Sequence, residues 1–419
     1  MRTVVSGLGV AALLTGSLAA AEPSAPDDVP FPSAVEPEED PIPAAGPPAA
    51  PQPDLLRAPL KEGGAAAEAP AQPAVDGPRT GFEERGGSSW TTLEEEQSFL
   101  REVDDLSDRV SISRAGTTLE GRPMDLVQIG AEPRTKGEVA AGSSVLFACT
   151  QHGNEPAGRE SCLQLIRDLA LDNSPATRRL LDRSTILVIP TVNPDGVAAN
   201  TRGNSEGVDI NRDHLALQTK EAQALAQVLL DYDSQVVHDA HEYSGRADVY
   251  ERDLIRLWPR HLNVNQGIHD LAVELAEDYI DPTVEYEDFT TGDYGIWYDA
   301  GGRQIAQVAG NEDERIMRNT MGLKHRVGQL TESRVNDFSG EESQTENNIR
   351  RVRTHLLANQ STLDLMLEQG SAIKAATADA REAATEAGAS GDQPYSFAGA
   401  DNALPPRTPS TSHHRAPTT

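Results

Sequence analysis

The sequence predicts an α/β protein of three layers, with a mixed, largely parallel central sheet carrying helices on both faces. Three observations carry that expectation. Residues 145–149, 185–190 and 235–238 are short, continuous apolar runs, the pattern of strands buried on both faces. Segments with helical periodicity separate them, at 157–171 and 219–230. No internal repeat suggests a solenoid or a propeller.

The elements follow in order. Thr91 or Thr92, with glutamates close behind, caps a helix that reaches about residue 106. Strands at 110–113 and 124–129 are joined through Gly121-Arg122-Pro123. The buried strand 145–149 leads into the helix 157–171. The strand 185–190 precedes a helix that Thr219 caps, and this runs into the strand 235–238. A helix at 271–278, a strand at 328–331 and a closing helix at 347–365 complete the chain.

Composition sets the domain limits. Residues 1–21 hold a short basic start, an apolar stretch and Ala19-Ala20-Ala21, the pattern of a cleaved signal peptide. The stretch is too short for a span, so a secreted or periplasmic protein with no stable membrane anchor is expected. Residues 22–85, rich in Pro, Ala and acidic side chains, are expected to be a disordered linker or pro-segment. The catalytic domain is placed at 86–369 and a disordered tail at 370–419, with His413 and His414 solvated. A net charge of −30 excludes a nucleic-acid partner, which needs a basic surface. Cys149 ends a strand and Cys162 lies in the next helix, so both are expected to be buried thiols.

The chemistry concentrates where α/β folds place it, beyond the carboxyl ends of strands. His152 and Glu155 form an H-x-x-E pair just after the strand 145–149. His238 and His241 compete to be a third ligand. With the strand ending near Asp239, His238 would face sideways into the sheet, and His241 would reach out from the following loop. His241 is therefore preferred, with Asp239 orienting an imidazole from behind. Two histidines and a carboxylate, with one position open, are the ligand set of hydrolytic zinc sites. Downstream of the turn Asn193-Pro194-Asp195-Gly196, Asn211 and Arg212 make a natural clamp for a carboxylate. Arg202, near the metal, would stabilise an oxyanion. Glu332 ends a late strand, where a carboxylate can take a proton from water and pass it to a leaving amine.

The order H-x-x-E, N-P-D-G, Arg, N-R, His and late Glu, over about residues 90–365, resembles the zinc metallocarboxypeptidase family. The turn Leu119-Glu120-Gly121-Arg122-Pro123 is also similar to that family's early strand turn. The resemblance implies one zinc ion per chain on His152, Glu155 and His241, and a peptide substrate with a free C-terminal carboxylate. It makes Arg202 the carbonyl-polarising residue, Asn211 and Arg212 the carboxylate site, and Glu332 the base. Tyr294 and Tyr298 are the candidates for the family's substrate-capping tyrosine, and Tyr294 is carried as the substrate-binding residue. The H-G-N-E and D-A-H-E wording also resembles the deacylase branch of the fold, of the aspartoacylase and succinylglutamate desuccinylase type. N-acyl amino acids and cell-wall peptides therefore stand beside peptides as substrates, and a non-catalytic module of the same fold is the remaining alternative.

Overall fold

The structure is a computed structural model that describes residues 75–247, 250–298, 304–307 and 312–391. The signal-like stretch, the linker as far as residue 74 and His413-His414 lie outside the described residues.

The chain runs α1 (Gly81–Glu84), α2 (Leu93–Leu106), β1 (Val110–Thr117), β2 (Pro123–Ile129), α3 (Lys136–Ala141), β3 (Ser143–Cys149) and α4 (Ala157–Leu171). It continues with α5 (Pro175–Arg183), β4 (Ser184–Ile189), α6 (Pro194–Ala199), α7 (Lys220–Tyr232), β5 (Val236–Tyr243) and β6 (Leu254–Leu257). Then come α8 (Gln266–Glu274), α9 (Asp281–Glu285), β7 (Thr291–Asp293), β8 (Ile296–Tyr298), β9 (Gln304–Gln307), α10 (Met317–Leu323), β10 (Val327–Arg334) and α11 (Gln344–Ser390).

Eight strands form one sheet in the order β1-β2-β4-β3-β5-β10-β6-β7. The inner strands β4, β3, β5 and β10 are mutually parallel, while β1, β2 and β6 pair antiparallel. Side-chain alternation then builds two cores. Val145, Phe147 and Cys149 of β3 face a layer containing Leu163 and Ile166 of α4 and Leu365 of α11. Leu146 and Ala148 face the opposite layer, with Leu225 and Val228 of α7 and Met317 and Met321 of α10. The mixed sheet with helices on both faces is thus the expected architecture.

Four expectations need correction. The ordered domain begins before residue 86. Thr80 caps α1, Phe82 stacks on Trp90 at 5.1 Å, and Glu83 pairs with the buried Arg167 at 2.6 Å. Few as its aliphatic residues are, this segment therefore has its own anchor points. The tail is helical to Ser390 and not disordered from residue 370. Its alanines are strong helix formers, Ile373, Thr377 and Ala380 are buried on one face, and Lys374 donates to the Ala140 and Gly142 carbonyls. Cys149 and Cys162 are joined in a disulfide, with Cα atoms 6.8 Å apart, because α4 folds back beside the end of β3. Finally, β5 does not stop near Asp239 but continues to Tyr243.

Candidate metal centre and cleft

The extension of β5 decides which histidine faces the site. His238 and His241 are three residues apart in one strand, so they point to opposite faces. His238 is enclosed between Thr362 and Thr331, each at 2.8 Å. His241 turns the other way, to the metal loop. The preference for His241 agrees with this placement, but the reason is strand alternation and not a position in a loop.

The loop after β3 is built by backbone contact. A Cβ on Gly153 would lie 1.9 Å from the Gly196 carbonyl carbon, so only glycine lets the H-G-N-E loop touch the N-P-D-G turn. Asn193 caps that turn through the Gly196 N–H at 2.8 Å and donates to the Gln151 carbonyl at 3.0 Å. Asp195 accepts from Thr118 and Arg122, each at 2.7 Å, and so holds the Leu119–Pro123 turn in place. Two sequence motifs with no ligand between them are therefore the mount of His152 and Glu155.

His152, Glu155 and His241 are all buried, and their ligand atoms lie within 4.8 Å of one another. His152 Nδ1 is 2.9 Å from Glu155 Oε1, and His241 Nδ1 is 2.9 Å from both Glu155 Oε2 and His152 Nδ1. A test of whether a cation fits comes from the far sides of the rings. His152 Nε2 sits 3.0 Å from Asp209 Oδ1, and His241 Nε2 sits 2.9 Å from Asp239 Oδ2. Asp209 holds the His152 ring proton on Nε2, while His241 Nε2 meets both Asp239 and, at 2.8 Å, the Asn211 amide nitrogen, so that both Nδ1 atoms and the Glu155 carboxylate are aimed at one point. That donor set suits a divalent cation of the zinc type.

Asp209 was not singled out by sequence reasoning, although its place two residues before Asn211-Arg212 was a usable signal. It also accepts from Arg202 at 2.9 and 3.1 Å and from the Asn211 N–H at 2.9 Å. Gln151 and His214 extend the other support: Gln151 donates to Asp239 at 2.6 Å, and His214 meets Gln151 at 2.7 Å.

Glu332 lies on β10 in parallel register with His241 of β5, so the two share one end and one face of the sheet. Burial pushes its carboxyl up to about 8; His241 works against the rise and Glu155 adds to it. A cleft of about 700 Å³ opens here, lined by Glu155, Arg202, Tyr250, Tyr294, Glu332 and Arg351, among others. The Tyr294 hydroxyl is also raised, first by the charge of Glu332 and then by burial. The Tyr298 side chain lies outside the described residues.

The carboxylate clamp is arranged differently from a simple pair of donors. Asn211 is buried, donates from its amide to Asp239 Oδ2 at 3.2 Å, and accepts the Met317 N–H at 2.8 Å. Its amide thus ties the His241 support to α10. Arg212 is half-buried and donates to the Asn211 carbonyl at 2.7 Å. Arg202 reaches Glu155 Oε1 at 3.2 Å while it holds Asp209.

Fold and site together define an α/β domain with a candidate metal centre at the carboxyl ends of parallel strands. Residues 96–245 match the family model described as zinc carboxypeptidase. Carboxypeptidase 2 of Trichophyton tonsurans is 29% identical over 277 residues, covering 62% of this chain and 51% of that protein. Carboxypeptidase E of Caenorhabditis elegans is 35% identical over 114 residues, 23% of this chain and 24% of that one. The chain spans about half the length of the first curated relatives it matches. The metallo-carboxypeptidase of Burkholderia cenocepacia superposes with a TM-score of 0.50 at 22% identity, covering 64% of this chain and 68% of that one. Over residues 96–245 the chain is thus similar to zinc carboxypeptidases.

Proposed function

We propose that the protein is a secreted, zinc-dependent metallocarboxypeptidase that hydrolyses the C-terminal peptide bond of its substrates. The observation that carries the reading is the convergence of His152, Glu155 and His241 beside Glu332, on the carboxyl side of three adjacent parallel strands. His152, Glu155 and His241 hold one zinc ion per chain. When bound, zinc supplies Lewis-acid polarisation at the scissile carbonyl.

The chain's own groups do the rest. Arg212 takes the substrate's terminal carboxylate through its planar fork of donors, and Asn211 holds α10 and the His241 support in register behind it. Arg202 donates to the carbonyl oxygen as negative charge develops there. Glu332 accepts a proton from the attacking water and returns it to the departing amine. Its half-buried setting raises its proton affinity, in keeping with a group that both takes and gives a proton. Tyr294 closes the cleft over the residue to be released. Secretion is supported by the apolar start of the chain and by the Cys149–Cys162 disulfide, a bond that persists in oxidising compartments.

The test is mass spectrometry of a mixed peptide library incubated with the zinc-loaded protein. Loss of single C-terminal residues, stopped by a chelator, is the expected result. Zinc binding without any trimming would overturn the peptide reading and move the same residues to N-acyl amino acids or cell-wall peptides.

A further inference from the structure

The helix that follows the metal loop has no cap of its own. α4 begins directly after Pro156, which stands at its N-cap and makes no side-chain cap bond. A proline has no side-chain oxygen to offer the first N–H groups of a helix. The acceptor comes instead from another element. Glu242, next to His241 in β5, takes the Ala157 N–H on Oε1 at 2.6 Å, and its side chain is fully buried. The same residue reaches the metal loop through its backbone. The Glu242 N–H donates to Glu155 Oε2 at 3.1 Å, the oxygen that lies 2.9 Å from His241 Nδ1. Glu155 is thus gripped twice: its carboxylate by the Glu242 backbone, and the chain just beyond it by the Glu242 side chain. Neighbours in a strand point to opposite faces, so His241 turns to the metal loop while Glu242 turns to α4. Glycine makes that approach close, because a Cβ on Gly158 would lie 2.9 Å from the Ala240 Cβ.

A buried carboxylate needs a counter-charge, and Arg351 of α11 supplies it, with Nη2 on Glu242 Oε2. Arg351 is fixed in turn. Its Nη1 donates to Asn348 Oδ1 at 3.2 Å, and its guanidinium carbon lies 4.9 Å from the centre of the Trp90 ring. Asn348 donates to the Gly87 carbonyl at 3.0 Å, and Trp90 stacks on Phe82. The early anchor around Phe82 and Trp90 and the closing helix therefore meet on one guanidinium, which holds the carboxylate that holds the loop.

We infer that Glu242 is a positioning residue for the metal: it holds Glu155 in its ligand position before an ion arrives, and Arg351 holds Glu242 in place to do so. The inference rests on the metal reading of His152, Glu155 and His241 and is independent of the substrate. A ligand fixed in advance loses less freedom on binding and so binds more tightly. With the Glu242 grip loosened, the Glu155 carboxylate swings towards Arg202, which already touches its other oxygen at 3.2 Å.

The experiment measures zinc affinity of the wild type and Glu242→Gln by competition with a chromophoric chelator. Thermal unfolding of both metal-free proteins and the visible spectra of both cobalt-loaded proteins are recorded alongside. Glutamine keeps the shape but offers one oxygen where Ala157 and Arg351 use two. Zinc binding should weaken at least about tenfold, and the cobalt bands should shift with the altered ligand geometry. A zinc affinity within about twofold of wild type, with an unchanged cobalt spectrum, overturns the proposal even if the unfolding temperature falls, because Glu242 would then be a purely structural group. A wild type that binds no zinc removes the metal reading and the proposal with it, whereas a variant that binds zinc as tightly as the wild type removes the proposal alone. Hydrogen exchange on the wild type decides the matter if the variant fails to fold. The Ala157 amide is the first of α4 and has no partner within the helix, so its protection reports the Glu242 bond. Slow exchange there in the metal-free protein is expected, and fast exchange overturns the proposal.

Discussion

Asp209→Asn should weaken zinc binding by about 10–100-fold, the usual cost of removing a carboxylate behind a metal-bound imidazole. Asp209 Oδ1 is 3.0 Å from His152 Nε2, and Oδ2 accepts two N–H groups of Arg202. The first contact is a charge-assisted hydrogen bond worth about 1.5–3 kcal/mol. At about 1.4 kcal/mol per tenfold, this matches the same range. A second effect has the same sign. Arg202 already touches Glu155 Oε1 at 3.2 Å, and with Asp209 neutral its guanidinium competes more strongly for that carboxylate. The assay is a competition titration of zinc against a chromophoric chelator, with thermal unfolding of the metal-free protein as a control for folding. Adding Arg202→Ala to Asp209→Asn should recover part of the loss. An affinity within about twofold of wild type, in a normally folded variant, would refute the claim that Asp209 sets the His152 ring for the metal.

Three further outcomes are expected. Glu332→Gln should retain zinc and lose about 10²–10⁴-fold in kcat, and full turnover would remove Glu332 from the reaction. His241→Ala should abolish stoichiometric zinc in metal analysis, whereas His238→Ala should keep zinc and lose about 1–3 kcal/mol in urea unfolding, because it removes the ring's bonds to Thr331 and Thr362 and empties the space between them. Glu96 gives a pH effect: burial raises its carboxyl to about 7, with Arg159 opposing. Its folded value is above its unfolded one, so its contribution is full below the ordinary glutamate range and is lost as pH rises towards 7. Glu96→Gln should therefore gain on wild type by up to about 3 kcal/mol between pH 4.5 and 8, and parallel stability curves would contradict this.

Much of the site was legible because it is local. The H-x-x-E pair directly follows a buried strand, and Glu332 lies near the end of another, so the candidate ligand loop and the candidate base both come from short windows of sequence. The extension of the closing helix to Ser390 and the early anchor at Phe82 were obscured because composition alone does not report which alanines or aromatics find a partner. The disulfide was missed for a similar reason: spacing alone does not say whether a helix turns back beside its own strand.

What the sequence determined by itself was the α/β alternation and the residue types and order of a zinc-type site. Buried parallel strands need continuous apolar runs, and metal ligands need particular side chains, and both are written in composition and spacing. What only the tertiary structure decided was orientation. The length of β5 puts His241 and His238 on opposite faces. Asp209 sets the His152 ring proton, Asp239 and Asn211 together hold the His241 ring, and Asn211 turns inward to α10. Each of these is a contact or a facing direction that only the packed chain defines, and that packing is set by the sum of many weak interactions which no single motif carries.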